Sequence, residues 1–404
     1  MSLFTDKHIL LGVTGSIAAY KAADLASRLA QQGALVDVIL TAGAQKFVTP
    51  LTFQSVTGRK AYTDADLWGS EAHVLHVGLG RAADLLVIAP CTANTLAKLA
   101  HGLADTLLAV TALAAECPLL VAPAMDGGMY RAPATQENIE RLQERGVIFA
   151  GPGHGHLASG LSGEGRMLEP AEILGHIRLA LARPGRLSGK RILVTAGGSQ
   201  EPIDPVRYLT NRSSGKQGYA LALAALEAGA QVTLVTHPTG LTAPVGAEVI
   251  EVRTAQDMLE AVLGGCKEAD ALVMAAAVAD FRAKHVAAHK LKKKDGIPQL
   301  ELEAAPDILA RLAEARAGLQ RLKVVVGFAA ESRNLAENAS VKLTSKKLDF
   351  IVANDISAVD AGFGADTNRV TLLHADGRKE ALPLLGKDEV AVAIIERVAA
   401  LLEK

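Results

Sequence analysis

One pattern occurs twice in this chain: a buried strand, a glycine-containing turn, an apolar-faced helix and a second strand. Near the N-terminus the two strands are residues 8–13 (HILLGV) and 35–40. In the second half they are residues 191–195 and 231–235, and Gly218–Ala228 is predicted as the helix between them. The phrases QQGALVDVILT and EAGAQVTLVTH have the same design. Such units build parallel sheets, so the sequence predicts an α/β protein with two doubly wound, Rossmann-like domains.

The segment RPGRLSG, residues 183–189, has the composition of a linker and divides the two patterns. It predicts domains at 1–185 and 186–404. Further strands are predicted at residues 85–89, 119–122, 249–252, 271–275, 323–327 and 350–353. A helix is predicted over 335–347, a hairpin over 370–374 and 380–384, and a closing helix over 388–402.

Composition excludes several classes of protein. The chain has 404 residues, 50% of them apolar and 3% aromatic, and its net charge of −1 gives no reason to expect a nucleic acid or an anionic membrane as partner. Cys91, Cys117 and Cys266 show no disulfide or zinc pattern, which favours a reducing compartment. No signal peptide is evident, and the longest apolar run, Ala271–Ala279, is too short to span a bilayer. We therefore expect a soluble, cytoplasmic protein.

Two segments between predicted elements carry unusual sequences. Residues 151–170 contain six glycines without periodicity, which predicts a long loop acting as a lid. The segment after Gly197-Gly198 leads to a helix opening near Lys216 and is rich in hydrogen-bonding groups. A glycine turn before a helix N-terminus is typical of a phosphate or carboxylate cradle. Its polar residues are Glu201, Asp204, Arg207, Asn211, Arg212, Ser213 and Ser214.

The first strand-to-helix turn, TGSIAAYK (14–21), favours a mononucleotide. It has one glycine flanked by hydroxyls, which suits a terminal phosphate better than a pyrophosphate. The second strand ends at Thr41 without a carboxylate to hold a ribose. NAD is therefore disfavoured, and FMN fits better.

Motifs in both halves resemble a known family. GSIAAYK, HVGLGRAADLLVIAPCTANTLAKLAHGLADTLL, PAMDGGMY and LASGLSGEGRM resemble the flavin-dependent cysteine decarboxylases. AGGSQEPIDPVRYLTNRSSGKQGYA, AAAVADF, KLKKK and GFAAES resemble phosphopantothenate–cysteine ligase. Over essentially the whole chain the two together resemble the bacterial bifunctional coenzyme A biosynthesis proteins. The resemblance implies an N-terminal flavoprotein domain and a C-terminal ligase domain.

For the first half, the resemblance implies FMN-dependent decarboxylation of 4′-phosphopantothenoylcysteine to 4′-phosphopantetheine. It implies His76 as the active-site histidine, although a lone histidine is more often structural. Met125 and Arg166 are implied to contact substrate. The residues implied to hold FMN are Gly15, Ser16, Ile17, Thr41, Pro90, Thr92, Asn94 and Thr95.

Two positions depart from the family pattern. Asp126 stands where well-known members have asparagine, and an ionised aspartate cannot donate a hydrogen bond to a substrate carboxylate. Either Asp126 is protonated in the complex, or another group such as Arg166 holds the carboxylate. Ser159 stands where those members have a cysteine, which bears on protonation of the enethiol. Both residues are expected to take part in catalysis.

For the second half, the resemblance implies that CTP activates 4′-phosphopantothenate as an acyl-cytidylate, which cysteine then attacks. Asn211 is implied in that attack, and Lys290, in a lysine run with Lys292–Lys294, in forming the intermediate. Asp280 follows a buried strand and is a candidate for the metal, Mg²⁺ or another divalent cation. Residues implied to contact nucleotide or substrate are Arg207, Ala276, Asp280, Phe328, Lys342 and Lys346. From the residues alone, the lysine run is also explained as a solvated face.

Three other interpretations stay open at this point. The chain could be a ligase whose decarboxylase half is impaired by Asp126 and Ser159, a flavin-binding regulatory protein, or an NAD-dependent oxidoreductase. The resemblance also implies a homo-oligomer, a dodecamer built from trimeric decarboxylase and dimeric ligase contacts. The apolar helix stretch Tyr219–Leu226 is compatible with such contacts, although core packing explains it equally well.

Overall fold

The computed structural model describes residues 3–68, 74–331, 335–355 and 365–403. The chain divides into two compact units, Met1–Ala182 and Arg183–Lys404, and each is a mainly parallel sheet with helices on its faces. The predicted fold class is therefore confirmed, while the domain limits at 185 and 186 stay a prediction. Ser332, the last residue of the GFAAES motif, lies outside the described residues.

The sheet of the first unit is six-stranded, and all its strand pairs are parallel. Its order is β3-β2-β1-β4-β5-β6. Strands β2 and β3 are therefore added on one side of β1, and β4, β5 and β6 on the other. The central strand β1 is buried from Ile9 to Val13. The strands are β1 (His8–Val13), β2 (Leu35–Leu40), β3 (Ala61–Thr63), β4 (Leu85–Cys91), β5 (Leu119–Pro123) and β6 (Ile148–Phe149).

Helices cover both faces of this sheet. The first helix buries Ala22, Leu25 and Leu29, the face that the sequence predicts, and the chain turns away at Gly33 with a φ of 93°. Only glycine adopts this left-handed backbone readily, which explains the stop. The helices are α1 (Ala19–Gln31), α2 (Pro50–Thr57), α3 (Leu75–Ala82), α4 (Ala93–His101), α5 (Leu107–Ala114), α6 (Gly127–Arg131), α7 (Pro133–Glu144) and α8 (Pro170–Leu181).

The prediction of a long loop without strands over residues 151–170 is wrong, while its function as a lid stays a prediction. The segment forms an antiparallel hairpin of β7 (Gly153–His156) and β8 (Ser162–Arg166). Its strands consist largely of glycine and polar residues, so they lack the apolar alternation by which a strand is recognised in sequence. Backbone pairing, and not side-chain burial, defines this hairpin.

The sheet of the second unit has eight strands in the order β13-β12-β9-β14-β17-β18-β20-β21. Its first six strands repeat the order of the first unit, with β9 in the place of β1, and are parallel. The last two strands are antiparallel and form the predicted hairpin. The strands are β9 (Arg191–Ala196), β12 (Gln231–Thr236), β13 (Ala247–Glu251), β14 (Ala271–Met274), β17 (Val324–Glu331), β18 (Phe350–Asp355), β20 (Val370–His374) and β21 (Lys379–Ala381).

Small two-stranded pairs lie outside this sheet. The polar segment after Gly198, for which no strand was predicted, contains one of them. The pairs are β10 (Gln200–Pro202) with β11 (Tyr208–Thr210), β15 (Phe281–Ala283) with β16 (Leu302–Ala304), and β19 (Thr367–Asn368) with β22 (Leu385–Gly386). The helices are α9 (Lys216–Glu227), α10 (Ala255–Gly265), α11 (Ile308–Ala315), α12 (Leu335–Ser345) and α13 (Lys387–Leu402). Among the described residues, no helix is long and apolar enough to cross a membrane.

Helix α9 approaches β9 very closely at a glycine. A Cβ added at Gly218 would lie 2.5 Å from the Cβ of Ala196 and 2.8 Å from the carbonyl oxygen of Thr195. The helix therefore needs glycine at this position to reach the strand. The buried residues Leu221, Ala222 and Ala225 then pack behind it, so core packing accounts for this part of the apolar stretch.

We predict that Gly218→Ala destabilises the second unit by about 1–3 kcal/mol, because the added methyl meets backbone and a short side chain that cannot move away. Gly264→Ala in α10 is the matched control, since its Cβ would meet nothing within 4 Å. The control should be neutral or stabilising by up to about 1 kcal/mol. Urea unfolding of the full chain measures both, and equal stabilities of the two variants would contradict the close approach.

Candidate functional site

The first unit contains a cavity of about 510 Å³ at the carboxyl ends of β1 and β4, where the strand order reverses. Ligands of open α/β sheets bind at this kind of crevice, and the volume is within the usual range for small-molecule sites. Of the residues predicted to hold a cofactor or substrate, seven line it: Gly15, Ser16, Thr41, Thr92, Asn94, Thr95 and Met125. Gly43, Leu108 and Met129, which the sequence did not single out, line it as well.

Thr14 fastens the two strand ends that border this cavity. Its buried hydroxyl donates to the carbonyl oxygen of Pro90 at 2.7 Å and accepts from the backbone N–H of Thr92 at 3.1 Å. Pro90 does not line the cavity but supports its wall through this bond. A Cβ at Gly15 would lie 3.0 Å from the backbone carbon of Gly43, so the turn keeps its close approach only with glycine.

Two helix N-termini border the cavity. Helix α4 is capped by Thr92, whose hydroxyl accepts from the N–H of Thr95 at 3.3 Å. Helix α1 begins after Gly15-Ser16 and has no side-chain cap hydrogen bond. Backbone N–H groups and the helix dipole favour an anion at such ends. The cavity can therefore hold a phosphate at one side and an apolar ring system against Leu108, Ala109 and Met125.

A second cavity of about 440 Å³ adjoins the first and shares Ser16, Ala124 and Met125 with it. The hairpin β7–β8 forms one of its walls, which brings together residues that are distant in sequence. The predicted residues that line it are Ser16, Ile17, Met125, Asp126, Ser159 and Arg166. The two positions that depart from the family pattern thus lie in one cavity.

Asp126 and Ser159 are hydrogen-bonded to each other. The hydroxyl of Ser159 donates to Oδ2 of Asp126 at 2.7 Å, and the N–H of Gly128 donates to Oδ1 at 2.8 Å. These two hydrogen bonds, that of Ser159 first, hold the pKa of the Asp126 carboxyl below its usual value. The carboxylate is therefore ionised at neutral pH in the free protein, so the unliganded state does not have the protonated form considered above.

Gly165 docks the hairpin at this point. The N–H of Met125 donates to the carbonyl oxygen of Gly165 at 2.9 Å, and Gly165 has a φ of 120°. A Cβ here would clash with the carbonyl oxygen of Met125. Glycine is required for both reasons, and the docking fixes β8 beside the loop that carries Asp126.

Lys21, which the sequence analysis quoted in a motif without assigning it a role, also lines the second cavity. Its ammonium is 2.8 Å from Oε1 of Glu169, the oxygen that Arg166 Nη2 contacts at 2.5 Å. Lys21 first and then Arg166 lower the pKa of Glu169 against the effect of its partial burial. A lysine on the apolar face of α1 is the sequence signal for such a group, because a buried ammonium needs an anionic partner.

His76 lies on α3 and lines neither cavity. Gly80 of the same helix lets α3 approach the end of α5, since its Cβ would be 3.2 Å from the backbone of Ala115. The structure of one chain thus brings the other decarboxylase candidates together without His76.

In the second unit, the ends of β9 and β14 are joined at the edge where the strand order reverses. Gly198 and Ala277 form a parallel bridge, and the N–H of Ala277 donates to the carbonyl oxygen of Gly197 at 2.8 Å. The hydroxyl of Ser199, a residue not predicted, accepts from the N–H of Ala279 at 2.9 Å. The loop that contains Ala276 and leads to Asp280 is therefore fixed against the glycine turn.

Asn211 contacts the same loop. Its Nδ2 donates to the carbonyl oxygens of Ala277 at 3.2 Å and Val278 at 3.1 Å. Asp280 follows two residues later and is exposed. The structure therefore brings Asn211, Ala276 and Asp280 to one sheet edge, the carboxyl edge at which ligands of open α/β sheets bind.

Asp204 holds the lysine run in place. Its buried carboxylate accepts from the N–H groups of Val206 and Arg207, each at 2.8 Å, and from that of Leu291 at 3.1 Å. Arg207 Nη1 contacts the same carboxylate at 3.1 Å and the carbonyl oxygen of Leu291 at 3.1 Å. Leu291 lies between Lys290 and Lys292, so this network ties the exposed lysines to the β10–β11 hairpin.

The remaining ligase candidates form a group at the neighbouring strand β17. The ammonium of Lys342 donates to the carbonyl oxygen of Phe328 at 3.0 Å, and that of Lys346 contacts Oδ2 of Asp307 at 2.6 Å. Asp307 also caps α11 and was missed, because a cap is the ordinary function of an aspartate before a helix. Within the described parts of the chain, no cluster of three or more histidine, cysteine or carboxylate side chains could hold a metal by itself.

Comparisons with known proteins cover both units. The family model described as Flavoprotein matches residues 3–181, and the one described as DNA/pantothenate metabolism flavoprotein C-terminal domain matches residues 187–402. The coenzyme A biosynthesis bifunctional protein CoaBC of Bacillus subtilis (strain 168) is 45% identical over 402 residues, which are 99% of this chain and 98% of the relative. The protein of the same name from Vibrio parahaemolyticus is 43% identical over 404 residues, the full length of both.

A solved structure is also similar to part of this chain. The crystal structure of the C-terminal domain of a coenzyme A biosynthesis bifunctional protein CoaBC is 43% identical. The match covers 54% of this chain and 98% of that chain, with a TM-score of 0.46.

We predict an acid-dependent loss of stability that depends on Asp204. Burial alone would raise the pKa of Asp204, but the N–H groups of Val206, Leu291 and Arg207 outweigh it and lower the pKa. A carboxyl whose pKa is lower in the folded than in the unfolded state stabilises above its unfolded pKa, about 3.9, and this stabilisation is lost as pH falls through the folded pKa. The second unit of the wild-type protein should therefore lose stability below about pH 4.

Asp204→Asn should have a lower Tm than the wild type at pH 7 and a smaller further loss in acid. Glu260→Gln is the control, since Glu260 is an exposed carboxylate on α10 that accepts a hydrogen bond from the side chain of Gln256. Thermal unfolding of the full chain between pH 7 and pH 3 measures the three profiles. Parallel profiles for the wild type and Asp204→Asn would contradict the assigned role.

Proposed function

This chain belongs to the family of coenzyme A biosynthesis bifunctional proteins, and from that premise we propose which unit performs which of its two reactions. The observation that carries the assignment is identity of 45% over 98% of a full-length bifunctional relative, with one family model matching each half. The chain is an enzyme with ligase and decarboxylase activities. The second unit couples 4′-phosphopantothenate to cysteine, and the first decarboxylates the product to 4′-phosphopantetheine.

The first cavity suits FMN. A family model named Flavoprotein matches this unit, and the cavity has the volume, the two helix N-termini and the hydroxyl groups that a flavin phosphate and ribityl chain require. In this proposal the turn at Gly15 and Ser16 and the start of α4 hold the phosphate, while Met125 and Leu108 contact the ring. Bound FMN supplies a reversible two-electron oxidation of the substrate thiol.

The second cavity takes the cysteine end of the substrate. Met125 lines both cavities, so a thiol placed near the flavin leaves its carboxylate close to Asp126, Ser159 and Arg166. His76 lies outside both cavities of its own chain, so we propose that it acts on the cavity of another copy. This is consistent with the predicted dodecamer of trimeric decarboxylase and dimeric ligase contacts, which sedimentation velocity would test.

The second unit activates a carboxylate with a nucleoside triphosphate. We assign CTP as the nucleotide and Mg²⁺, or another divalent cation, as its counterion. The groups at Phe328, Lys342 and Lys346 contact the nucleotide, and Asp280 takes the metal-bound triphosphate. Lys290 neutralises developing charge on the phosphates, while Arg207 and Ala276 contribute to substrate binding. Asn211, fixed against the loop at Ala277, positions the acyl-cytidylate for attack by cysteine.

In the presence of Mg²⁺, the full chain should convert 4′-phosphopantothenate, cysteine and CTP to 4′-phosphopantetheine, CO₂, CMP and pyrophosphate. Mass spectrometry of the products, with omission of each component in turn, tests every part of the assignment. Accumulation of 4′-phosphopantothenoylcysteine would show a ligase with an inactive first unit. Equal turnover with ATP in place of CTP would contradict the choice of nucleotide.

Two variants separate the steps of the ligase. Asn211→Ala should still release pyrophosphate from CTP but lower amide formation by about a hundredfold or more, because a donor that positions the reacting group is lost. Lys290→Gln should suppress pyrophosphate release itself. Lys284→Gln is the control, since Lys284 is an exposed lysine on the same segment that pairs with Glu301. Normal amide yield from Asn211→Ala would refute its role.

A further inference from the structure

A decarboxylase must supply a proton as well as remove CO₂. The net reaction R–COO⁻ + H⁺ → R–H + CO₂ leaves an electron pair on the carbon that carried the carboxylate, and that carbon must then bind a proton. The donor has to lie in the second cavity, where the proposed function places the carboxylate. The polar side chains that line this cavity are Ser16, Tyr20, Lys21, Asp126, His156, Ser159 and Arg166.

Asp126 lies where the substrate carboxylate should be. It directly follows Met125, which lines both cavities, so it is next to the wall that the two share. Both cations of the second cavity, Lys21 and Arg166, contact Glu169. A carboxylate bound at the shared wall therefore faces the negative charge of Asp126. Two adjacent carboxylates repel each other, and this repulsion favours uptake of a proton by one of them.

We propose that Asp126 takes up a proton when the substrate carboxylate binds beside it, and that this proton passes through the hydroxyl of Ser159 to the carbon that loses CO₂. The inference rests on the decarboxylase function proposed for the first unit. It gives one reason for both departures from the family pattern, since aspartate and serine form a hydrogen-bonded pair at 2.7 Å.

The hydrogen bonds of Asp126 determine where the proton goes. Oδ1 accepts from the N–H of Gly128 at 2.8 Å, and a backbone N–H can only donate. The proton therefore belongs on Oδ2, the oxygen next to Ser159. A hydroxyl can donate and accept, so Ser159 then accepts from Oδ2 and turns its own proton into the cavity. Because Ser159 is on the β7–β8 hairpin and Asp126 is not, the relay needs the docking at Gly165.

The steps balance in atoms and charge. With the substrate thiol oxidised by the proposed flavin, the bond between carbon and carboxylate breaks, CO₂ leaves, and its electron pair stays with the substrate. The O–H bond of Ser159 breaks as the new C–H bond forms, and Ser159 recovers a proton from Oδ2. Asp126 ends as a carboxylate, and bound FMN would return to the substrate the two electrons that it took from the thiol. One proton is consumed in the cycle, taken from solvent on binding.

The surroundings of Asp126 favour ionisation before substrate arrives. The hydrogen bonds from Ser159 and Gly128 hold its pKa below the usual value, and Arg131 on α6 lowers it further. The other charged or titratable side chains that line the cavity are Tyr20 and Lys21 on α1, His156 on β7 and Arg166 on β8. Outside the lining, Glu169 contacts Lys21 and Arg166, and Glu164 precedes Gly165 on β8. Ligand binding would therefore change the Asp126 carboxyl from the ionised to the protonated form, and the number of protons taken up can be measured.

Isothermal titration calorimetry at pH 7.5, in two buffers of different ionisation enthalpy, counts that proton. The probe is 4′-phosphopantothenoylserine, whose oxygen in place of sulfur prevents turnover, and 4′-phosphopantothenoylethanolamine is the same ligand without the carboxylate. Wild-type protein should take up about one proton with the first ligand and none with the second. Its affinity for the first should fall about tenfold for each unit rise in pH.

Asp126→Asn should take up no proton and bind the serine ligand with an affinity that no longer depends on pH. Glu164→Gln, which removes a carboxylate from β8 that lines neither cavity, should behave as the wild type does. Proton uptake by Asp126→Asn equal to that of the wild type would overturn the proposal. So would a wild-type protein that takes up no proton or does not bind the serine ligand.

Analysis of the reaction products tests the transfer of the proton through Ser159 separately from its uptake by Asp126. Ser159→Ala should take up the proton on binding and release CO₂ from 4′-phosphopantothenoylcysteine, yet yield a product with two hydrogens fewer than 4′-phosphopantetheine. Ser159→Thr keeps the hydroxyl and should restore 4′-phosphopantetheine. Complete product from Ser159→Ala at the wild-type rate would overturn the relay. Absence of CO₂ with the wild type would instead refute the decarboxylase function, which the calorimetry does not depend on.

Discussion

Both units depend on the same constraint, the reversal of strand order beside a central parallel strand. In each sheet the earlier strands are added on one side of the central strand, β1 or β9, and the later strands on the other side. No connection therefore covers the crevice at the carboxyl end of the central strand. Each crevice is held to a fixed width by a bond between the central strand and its later neighbour. In the first unit this is the hydroxyl of Thr14 against Pro90, and in the second it is the bridge of Gly198 with Ala277. Several of the candidate residues, among them Gly15, Thr92 and Asn211, lie next to these two contacts.

The regular part of the fold could be predicted from sequence because each element carries its own signal. Strand β1 and helix α1 have periodic apolar residues and a glycine stop, and the structure confirms them within a residue or two. The β7–β8 hairpin has no such signal, since its strands are glycine-rich and held by backbone pairing. Predicting it would have required knowledge that Gly165 docks on Met125, a contact between distant parts of the chain.

The candidate site residues also divide into those with a local sequence signal and those brought together by contacts between distant parts of the chain. The family motifs singled out Asn211 and Ala276 separately, and only the structure shows that Asn211 contacts the loop at Ala277. Pairings across long sequence distances were missed, because no local pattern links Lys21 with Glu169 or Asp204 with Leu291. The bond between Asp126 and Ser159 belongs to this second class. Sequence showed that both residues were unusual, and only the structure shows that they contact each other.

The way in which Asp204 holds the lysine-bearing segment has a consequence for how that segment can evolve. On that segment Asp204 accepts from a main-chain amide, so it recognises the path of the chain and not the identity of the residue at position 291. The side chain at position 291 can therefore differ among relatives without displacing the ammonium groups of Lys290 and Lys292. Proline is the exception, since it has no amide hydrogen to offer. Alignments should therefore vary at this position while excluding one amino acid.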